Sequence, residues 1–159
     1  MKDHLKQLTI SSLQKNISQI ERFVEETCDE NYISASYFGN IMLAVEEAVK
    51  NAIVHGNKID GQKKVTITFK RKKDGLSFII EDEGEGFNHQ NVPNPIESVD
   101  VSGNGIFLMR SLADKLTFNA KGNQVELFFS ITCISQETTL NRIIQLKNYF
   151  TRQKSLAKH

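Results

Sequence analysis

The chain has little cysteine, no long hydrophobic run and almost no net charge. Cys28 and Cys133 lack the spacing of metal ligands, so we interpret them as reduced, structural thiols. Every apolar run is far shorter than the roughly 20 residues of a membrane-spanning helix, and the N-terminus shows no secretory signal pattern. These absences predict a cytoplasmic protein that does not enter the membrane.

Neither sign of charge is in excess, because 20 basic and 19 acidic residues give a formal net charge of +1. Such a chain has no general electrostatic field to gather nucleic acid, so we expect no direct nucleic-acid partner. A length of 159 residues fits one globular domain.

The apolar periodicity predicts an α+β order of elements. The expected elements are a strand over 5–10, helices starting at Ser11 or Ser12 and at Ser34 or Ser36, a hairpin over 63–81, a helix over 105–113 and a hairpin over 116–131. This order favours a two-layer sandwich, with helices on one face of a mixed, mainly antiparallel sheet. Gly56 suits a left-handed cap of the second helix, and 88–102 is expected to be a mobile loop.

The last part of the chain is expected to stand outside this core. Residues 1–131 contain all of the predicted sheet, whereas 132–159 form an extension with helically spaced apolar residues and a basic, frayed tail. The apolar face of the extension could cover a dimer, bind a partner or pack back on the sheet.

A polar stripe runs along the second helix. Glu47, Asn51 and His55 are four residues apart and therefore share one face. The amide oxygen of Asn51 suits Mg²⁺, and Glu47 could accept a proton from a hydroxyl or water that attacks a phosphate. A solvated helix face is the plainer interpretation of the same stripe, and Glu46 is expected at the surface.

Two glycine-containing segments follow the stripe. Asp82 ends a strand before Gly84 and Gly86, where a flat ring or a phosphate could approach the backbone and the carboxylate could accept a hydrogen bond from adenine. Gly103 and Gly105 precede a helix, whose free N–H groups favour phosphate oxygens. An ordinary turn would explain either segment alone, but the three motifs in this order indicate a Mg-ATP site.

These motifs also resemble a known family. The positions that carry the resemblance are Glu47, Asn51, Asp82, Gly84, Gly86, Gly103 and Gly105. They are similar to the N box and the two glycine boxes of the GHKL ATPases, the superfamily of gyrase, heat-shock chaperones, histidine kinases and MutL. The likeness covers about 5–131 and implies a Bergerat-type sandwich. The amino-acid sequence from Glu47 to Gly56 and the short segment from Phe87 to Gly103 resemble those of the RsbW-type anti-sigma factor serine/threonine kinases.

The resemblance implies a role for each matching residue, with ATP and Mg²⁺ as cofactors. Glu47 would be the catalytic base, and Asn51 would bind ATP and the metal. The implied nucleotide contacts are Asp82 at adenine, Gly84 and Gly86 around the base and ribose, and the segment Gly103, Asn104, Gly105 and Ile106 at the phosphates.

The resemblance also implies partners. Members of the family typically form homodimers, bind a sigma factor and phosphorylate a serine of a STAS-domain anti-anti-sigma protein. Residues 88–106 depart from the pattern, because they contain no Lys or Arg although phosphoryl transfer needs positive charge. Arg22, Lys50 and Arg110 are the candidates to supply it.

An ATP-gated regulatory binding module with little or no kinase activity is therefore the alternative function. The catalytic domain of a two-component histidine kinase is a weaker hypothesis, since no helical hairpin with a phosphoacceptor histidine precedes the motifs.

Overall fold

The computed structural model describes residues 5–87, 104–130 and 136–157. The strands are β1 (Leu5–Ser11), β2 (Lys64–Lys72), β3 (Gly75–Asp82), β4 (Lys115–Phe118) and β5 (Gln124–Ser130). The α-helices are α1 (Ile17–Glu30), α2 (Ala35–Asn51), α3 (Asn104–Leu112) and α4 (Gln136–Ala157). A 3₁₀ turn, Gln14–Asn16, precedes α1, and a π-helical turn, Ala52–Gly56, continues α2. The predicted loop at 88–102, Gly103 and Cys133 lie outside the described residues.

The five strands form one sheet in the order β1-β2-β3-β5-β4. Each of the pairings between described strands is antiparallel, with Val65 opposite Asp82 and Ile80 opposite Val125. Along β2, Val65, Ile67 and Phe69 are buried while the residues between them are more exposed, so the helices cover one face of the sheet. The α+β sandwich is confirmed, and the described sheet is antiparallel throughout.

One hydrophobic core lies between the sheet and the first three α-helices. The helices contribute residues such as Ile20, Ile41 and Val49, and the rings of Phe69 and Phe78 meet at 5.3 Å between centroids. Burying a side chain of this size stabilises the fold by about 1.5–3 kcal/mol. The helical period of the apolar residues therefore fixes which face of α2 is buried, and it leaves the polar stripe free for another role.

The structure corrects the interpretation of Gly56. Left-handed backbone occurs just after it, at Lys58 (φ 54°) and Ile59 (φ 59°). Gly56 itself lies in the π-helical turn, where a Cβ atom would overlap the carboxylate of Asp82. Glycine is needed here because β3 approaches closely, and not because the helix ends in a left-handed cap.

Helix α4 packs on α3. The ring of Tyr149 stacks on that of Phe107 at 5.9 Å, and Leu146 also contacts the core, while Ile143 and Phe150 stay exposed. The sequence left open whether this segment would cover a dimer, bind a partner or pack back on the sheet, and the contacts that the structure shows are with α3 and the core. None of the described helices is both long and apolar enough to cross a membrane.

Candidate functional site

A cavity of about 320 Å³ lies where α2 and the π-helical turn meet α3 and one end of the sheet. Its apolar wall consists of Ala48, Ala52, Ile80, Phe87, Ile106, Met109, Phe118 and Val125. Its polar groups come from Asn51, His55, Asp82, Asn123 and Gln124. An apolar slot with a few fixed polar groups is typical of a site for a flat heterocycle.

Asp82 presents its carboxylate at one corner of the cavity. As the last residue of β3 it is partly buried, and its Oδ1 accepts a hydrogen bond from the backbone N–H of Gly84 at 2.8 Å. Burial raises the pKa of Asp82 above its usual value, against the opposing effects of the Gly84 bond and of Lys121. The carboxylate is thus held in one orientation, with a free oxygen for a donor.

The glycines after Asp82 allow close packing of the chain against itself. A Cβ on Gly84 would overlap the carbonyl oxygen of Gly56, and a Cβ on Gly86, at φ +81°, would overlap that of Lys121. Gly86 lines the cavity, so a ring can still lie beside it. The sequence predicted that a ligand would approach Gly84, whereas in the structure the backbone of Gly56 lies there.

Two asparagines that the sequence analysis missed hold this corner together. Asn57 is fully buried, and it donates to Ser12 Oγ at 2.5 Å and accepts from the N–H of Glu83 at 2.8 Å. Asn123 donates through Nδ2 to the carbonyl of Asp82 at 3.0 Å. These bonds join distant parts of the chain, and so no local pattern reveals them.

The other end of the site lies at the start of α3. A Cβ built on Gly105 would be 3.1 Å from Asn51 Nδ2, 3.3 Å from Asn51 Oδ1 and 3.3 Å from Glu47 Oε2. Both polar side chains of α2 therefore face the N-terminal turn of α3, and the backbone N–H groups of a helix N-terminus favour an anion. Glu47 lies beside the cavity, whereas Asn51 and His55 line it.

The remaining predicted residues fall in the same region. Ile106 is buried in the cavity wall, and Asn104 is the first residue of α3. Gly103 precedes the described part of α3. Glu46, expected at the surface, is partly buried instead, and its pKa is raised by burial and by a hydrogen bond with Glu21 on α1.

Of the three candidate cations, Lys50 lies nearest the polar end. Its Nζ is 3.8 Å from Oε1 of Glu47. Arg22 bonds to Glu26 within α1 at 2.9 Å, and Arg110 is an exposed residue of the last turn of α3. Lys50 can therefore place a positive charge close to a phosphate bound at Gly105.

The donor atoms suit a metal that is shared with phosphates. The described residues contain no cluster of three or more His, Cys, Asp or Glu that could hold a metal ion alone. Asn51 and Glu47 nevertheless offer oxygen atoms at one point, and Mg²⁺ usually takes only one or two protein oxygens besides water and phosphate. The residues present fit such an ion.

The C-terminal helix reaches this end of the site as well. Tyr149 on α4 stacks on Phe107, which lies in the first turn of α3. Burial and the nearby charge of Glu47 raise the pKa of Tyr149. Helix α4 therefore supports the turn of α3 that faces Glu47 and Asn51.

The similarity of this chain to known proteins is consistent with a nucleotide site in this cavity. A family model described as a histidine kinase-like ATPase domain matches residues 10–129. An anti-sigma F factor of Clostridium perfringens is 31% identical over 113 residues, which cover 68% of this chain and 73% of the relative. An anti-sigma F factor of Lysinibacillus sphaericus is 34% identical over 84 residues, or 48% of this chain and 56% of the relative. The serine-protein kinase RsbW of Bacillus subtilis is 29% identical over 86 residues, or 48% and 54%.

Proposed function

The chain belongs to the histidine kinase-like ATPase family, in the GHKL group that includes anti-sigma factor kinases, and from this premise we propose that it is an ATP-dependent serine/threonine kinase. In this proposal it binds a sigma factor and phosphorylates a serine of a STAS-domain antagonist. The observation that carries the proposal is the convergence of Glu47 and Asn51 on Gly105, at the end of an apolar cavity that contains Asp82.

Adenine would occupy the apolar cavity. Ile80, Ile106 and Val125 offer a dry surface for the ring, and the Asp82 carboxylate would accept a hydrogen bond from the exocyclic amine. Gly86 would leave room beside the base and ribose. The phosphates would then extend toward the N-terminal turn of α3, where Asn104, Gly105 and Ile106 present backbone N–H groups. Gly103, just before this turn, would contact them too.

At the polar end, Glu47 would accept the proton of the attacking serine hydroxyl. The new bond joins that oxygen to the γ-phosphorus, while the bond to the bridging oxygen of ADP breaks. Mg²⁺, bound through Asn51, would neutralise charge on the phosphates. Lys50 would add positive charge beside Glu47 and the phosphates.

Phosphotransfer to a STAS-domain protein encoded beside this one tests the assignment, with labelled Mg-ATP as donor. Glu47→Gln keeps the shape of the side chain and is expected to lower the rate by at least about 10²-fold. ATP affinity should be unchanged or higher, because a negative charge near the phosphates is removed. Glu46→Gln is the matched control: its carboxylate faces Glu21 on α1, and its rate should stay near the wild-type value. Equal rates for both variants and the wild type would contradict the role of Glu47.

An ATP-gated binding module remains the second candidate, and a specific observation favours it. Residues 88–106 contain no cation, and Lys50 is already paired with Glu47. If this function is correct, no label reaches a serine although ATP binds tightly, and the complex with the sigma factor still depends on ATP.

The remaining parts of the proposal follow from the family. The protein would act as a homodimer in the cytoplasm, where a sigma factor meets RNA polymerase. The division into a kinase domain, 1–131, and an extension, 132–159, also remains a proposal.

A further inference from the structure

A second cavity, of about 120 Å³, lies at the end of the sheet away from Asp82. In the register of the sheet, Arg71 is opposite Leu76 and Leu76 is opposite Phe129, and all three residues line this cavity. The connection between α1 and α2 closes its other side through residues 31–34. The cavity therefore shares no residue with the nucleotide site.

The cavity contains part of the positively charged side chain of Arg71. Nη1 of Arg71 is buried, and it has no hydrogen-bond partner among the described residues. An arginine side chain stays protonated, and a buried charged donor without an acceptor is costly. Glu30, the last residue of α1, is bonded to Lys6 at 3.1 Å. An anion from outside the chain would satisfy this group.

The start of α2 adds to the positive potential. Ser34, the residue before the helix, makes no side-chain bond to the helix N–H groups, because its Oγ pairs with Ser36 Oγ at 2.6 Å. The first turn of this helix also contains no acidic residue. Ser34 and Tyr37 both line the cavity, so the positive end of a 17-residue helix opens onto the space that contains the guanidinium.

The residue types at the mouth of the cavity are typical of a protein–protein interface. Tyr32 is 96% exposed and sits in left-handed backbone, with φ 55°, which is unfavourable for a residue of this size. Tyrosine and arginine are among the residue types that most often dominate binding energy at protein interfaces. An exposed tyrosine beside an arginine whose buried Nη1 has no partner among the described residues favours a macromolecular ligand over a free ion.

We propose that this cavity is a docking site for an acidic side chain of a partner protein. The partner's carboxylate accepts a hydrogen bond from Nη1 of Arg71 and lies near the positive end of α2. Tyr32 packs against the surface around that side chain. The volume admits a single carboxylate-bearing side chain and is too small for a nucleotide. The proposal is independent of the kinase assignment.

Titration of the full chain with N-acetyl-glutamic acid α-amide, followed by NMR, tests the proposal. The signals of the Arg71 side chain and of Tyr32 and Tyr37 should shift and saturate. N-acetyl-glutamine α-amide, which has the same shape without the charge, should bind at least about tenfold more weakly. Equal binding of the two compounds would overturn the proposal, and this comparison needs no variant to fold.

Two variants locate the site. Arg71→Gln should weaken binding of the glutamate compound by at least about tenfold, whereas Lys70→Gln, which removes the same charge from the opposite face of β2, should change it less than about twofold. An equal loss in both variants would mean a general charge effect and would overturn the site. Stronger binding of inorganic phosphate or acetate than of the glutamate compound would overturn the assignment to a protein side chain.

Discussion

Replacing Gly56 by alanine tests whether the π-helical turn after α2 is packed directly against the corner of the cavity at which we propose that adenine binds. The added methyl group would overlap the carboxyl carbon and both oxygens of Asp82. Asp82 would have to turn away, and it would lose the bond from Gly84 at 2.8 Å. Gly39, in the same helix, has no atom within 4 Å of its hypothetical Cβ, which makes Gly39→Ala the matched control.

The two substitutions are expected to have opposite signs. Overpacking at Gly56 should lower the free energy of unfolding by about 1–3 kcal/mol. In a chain of this size that lowers Tm by about 2–12 °C. Gly39→Ala should raise the free energy of unfolding by about 0.5–1 kcal/mol, because alanine costs less backbone entropy than glycine in an exposed helix. ATP affinity should fall at least about tenfold in Gly56→Ala, since the Asp82 acceptor is misplaced, and stay unchanged in Gly39→Ala.

Thermal unfolding and nucleotide titration of both variants provide the test. If Gly56→Ala were as stable as the wild type and bound ATP equally well, the packing of the π-helical turn on Asp82 would be irrelevant to the site. A fall in stability with full ATP affinity would separate the packing from the nucleotide and refute the role of Asp82.

Two further substitutions and one truncation give distinct results. Asp82→Asn should weaken ATP binding by at least about tenfold, because the amide presents donors toward the adenine amine, and an unchanged affinity in a nucleotide titration would exclude the contact. A chain ending at Ser135 should keep a cooperative melting transition and bind nucleotide, because the sheet and α1–α3 form a core without α4, and loss of the transition would show that α4 is part of that core. Glu46→Gln should raise the free energy of unfolding at pH 7 by roughly 0.5 kcal/mol after solvent screening. Folding raises the pKa of Glu46, so the wild-type protein loses stability as the pH rises through the acidic range and Glu46 ionises. The difference in the free energy of unfolding between Glu46→Gln and the wild type should therefore shrink toward pH 4, as measured by urea titration.

Much of the fold could be predicted from the sequence because apolar periodicity determines the faces of helices and strands. The alternation in β2 and the 3.6-residue spacing in α2 identify which side chains are buried. The same periodicity does not show what covers an apolar face. The sequence therefore predicted a helix near residue 140 and left open whether it would cover a dimer, bind a partner or pack on the sheet. It did not predict the contact with α3 that the structure has.

The candidate site was predictable only where its residues follow one another closely. Asn51, Asp82 and Ile106 were found from short motifs, and the structure brings them to one cavity. Asn57 and Asn123 were missed because their bonds cross to residues 26 and 41 positions away. Gly56 was misinterpreted because a glycine at a helix end usually marks a left-handed residue, and the approach of Asp82 is a long-range feature.

The proposed function has ATP in the cavity beside Asp82 with its phosphates at the start of α3. NMR titration of the full chain with a non-hydrolysable ATP analogue tests this proposal most directly. We expect saturable shifts at the methyl groups of Ile80, Ile106 and Val125 and at the amide of Gly105, with none at Ile143 on the exposed face of α4. Shifts confined to α4 or to the cavity around Arg71, with the Gly105 amide unmoved, would contradict it.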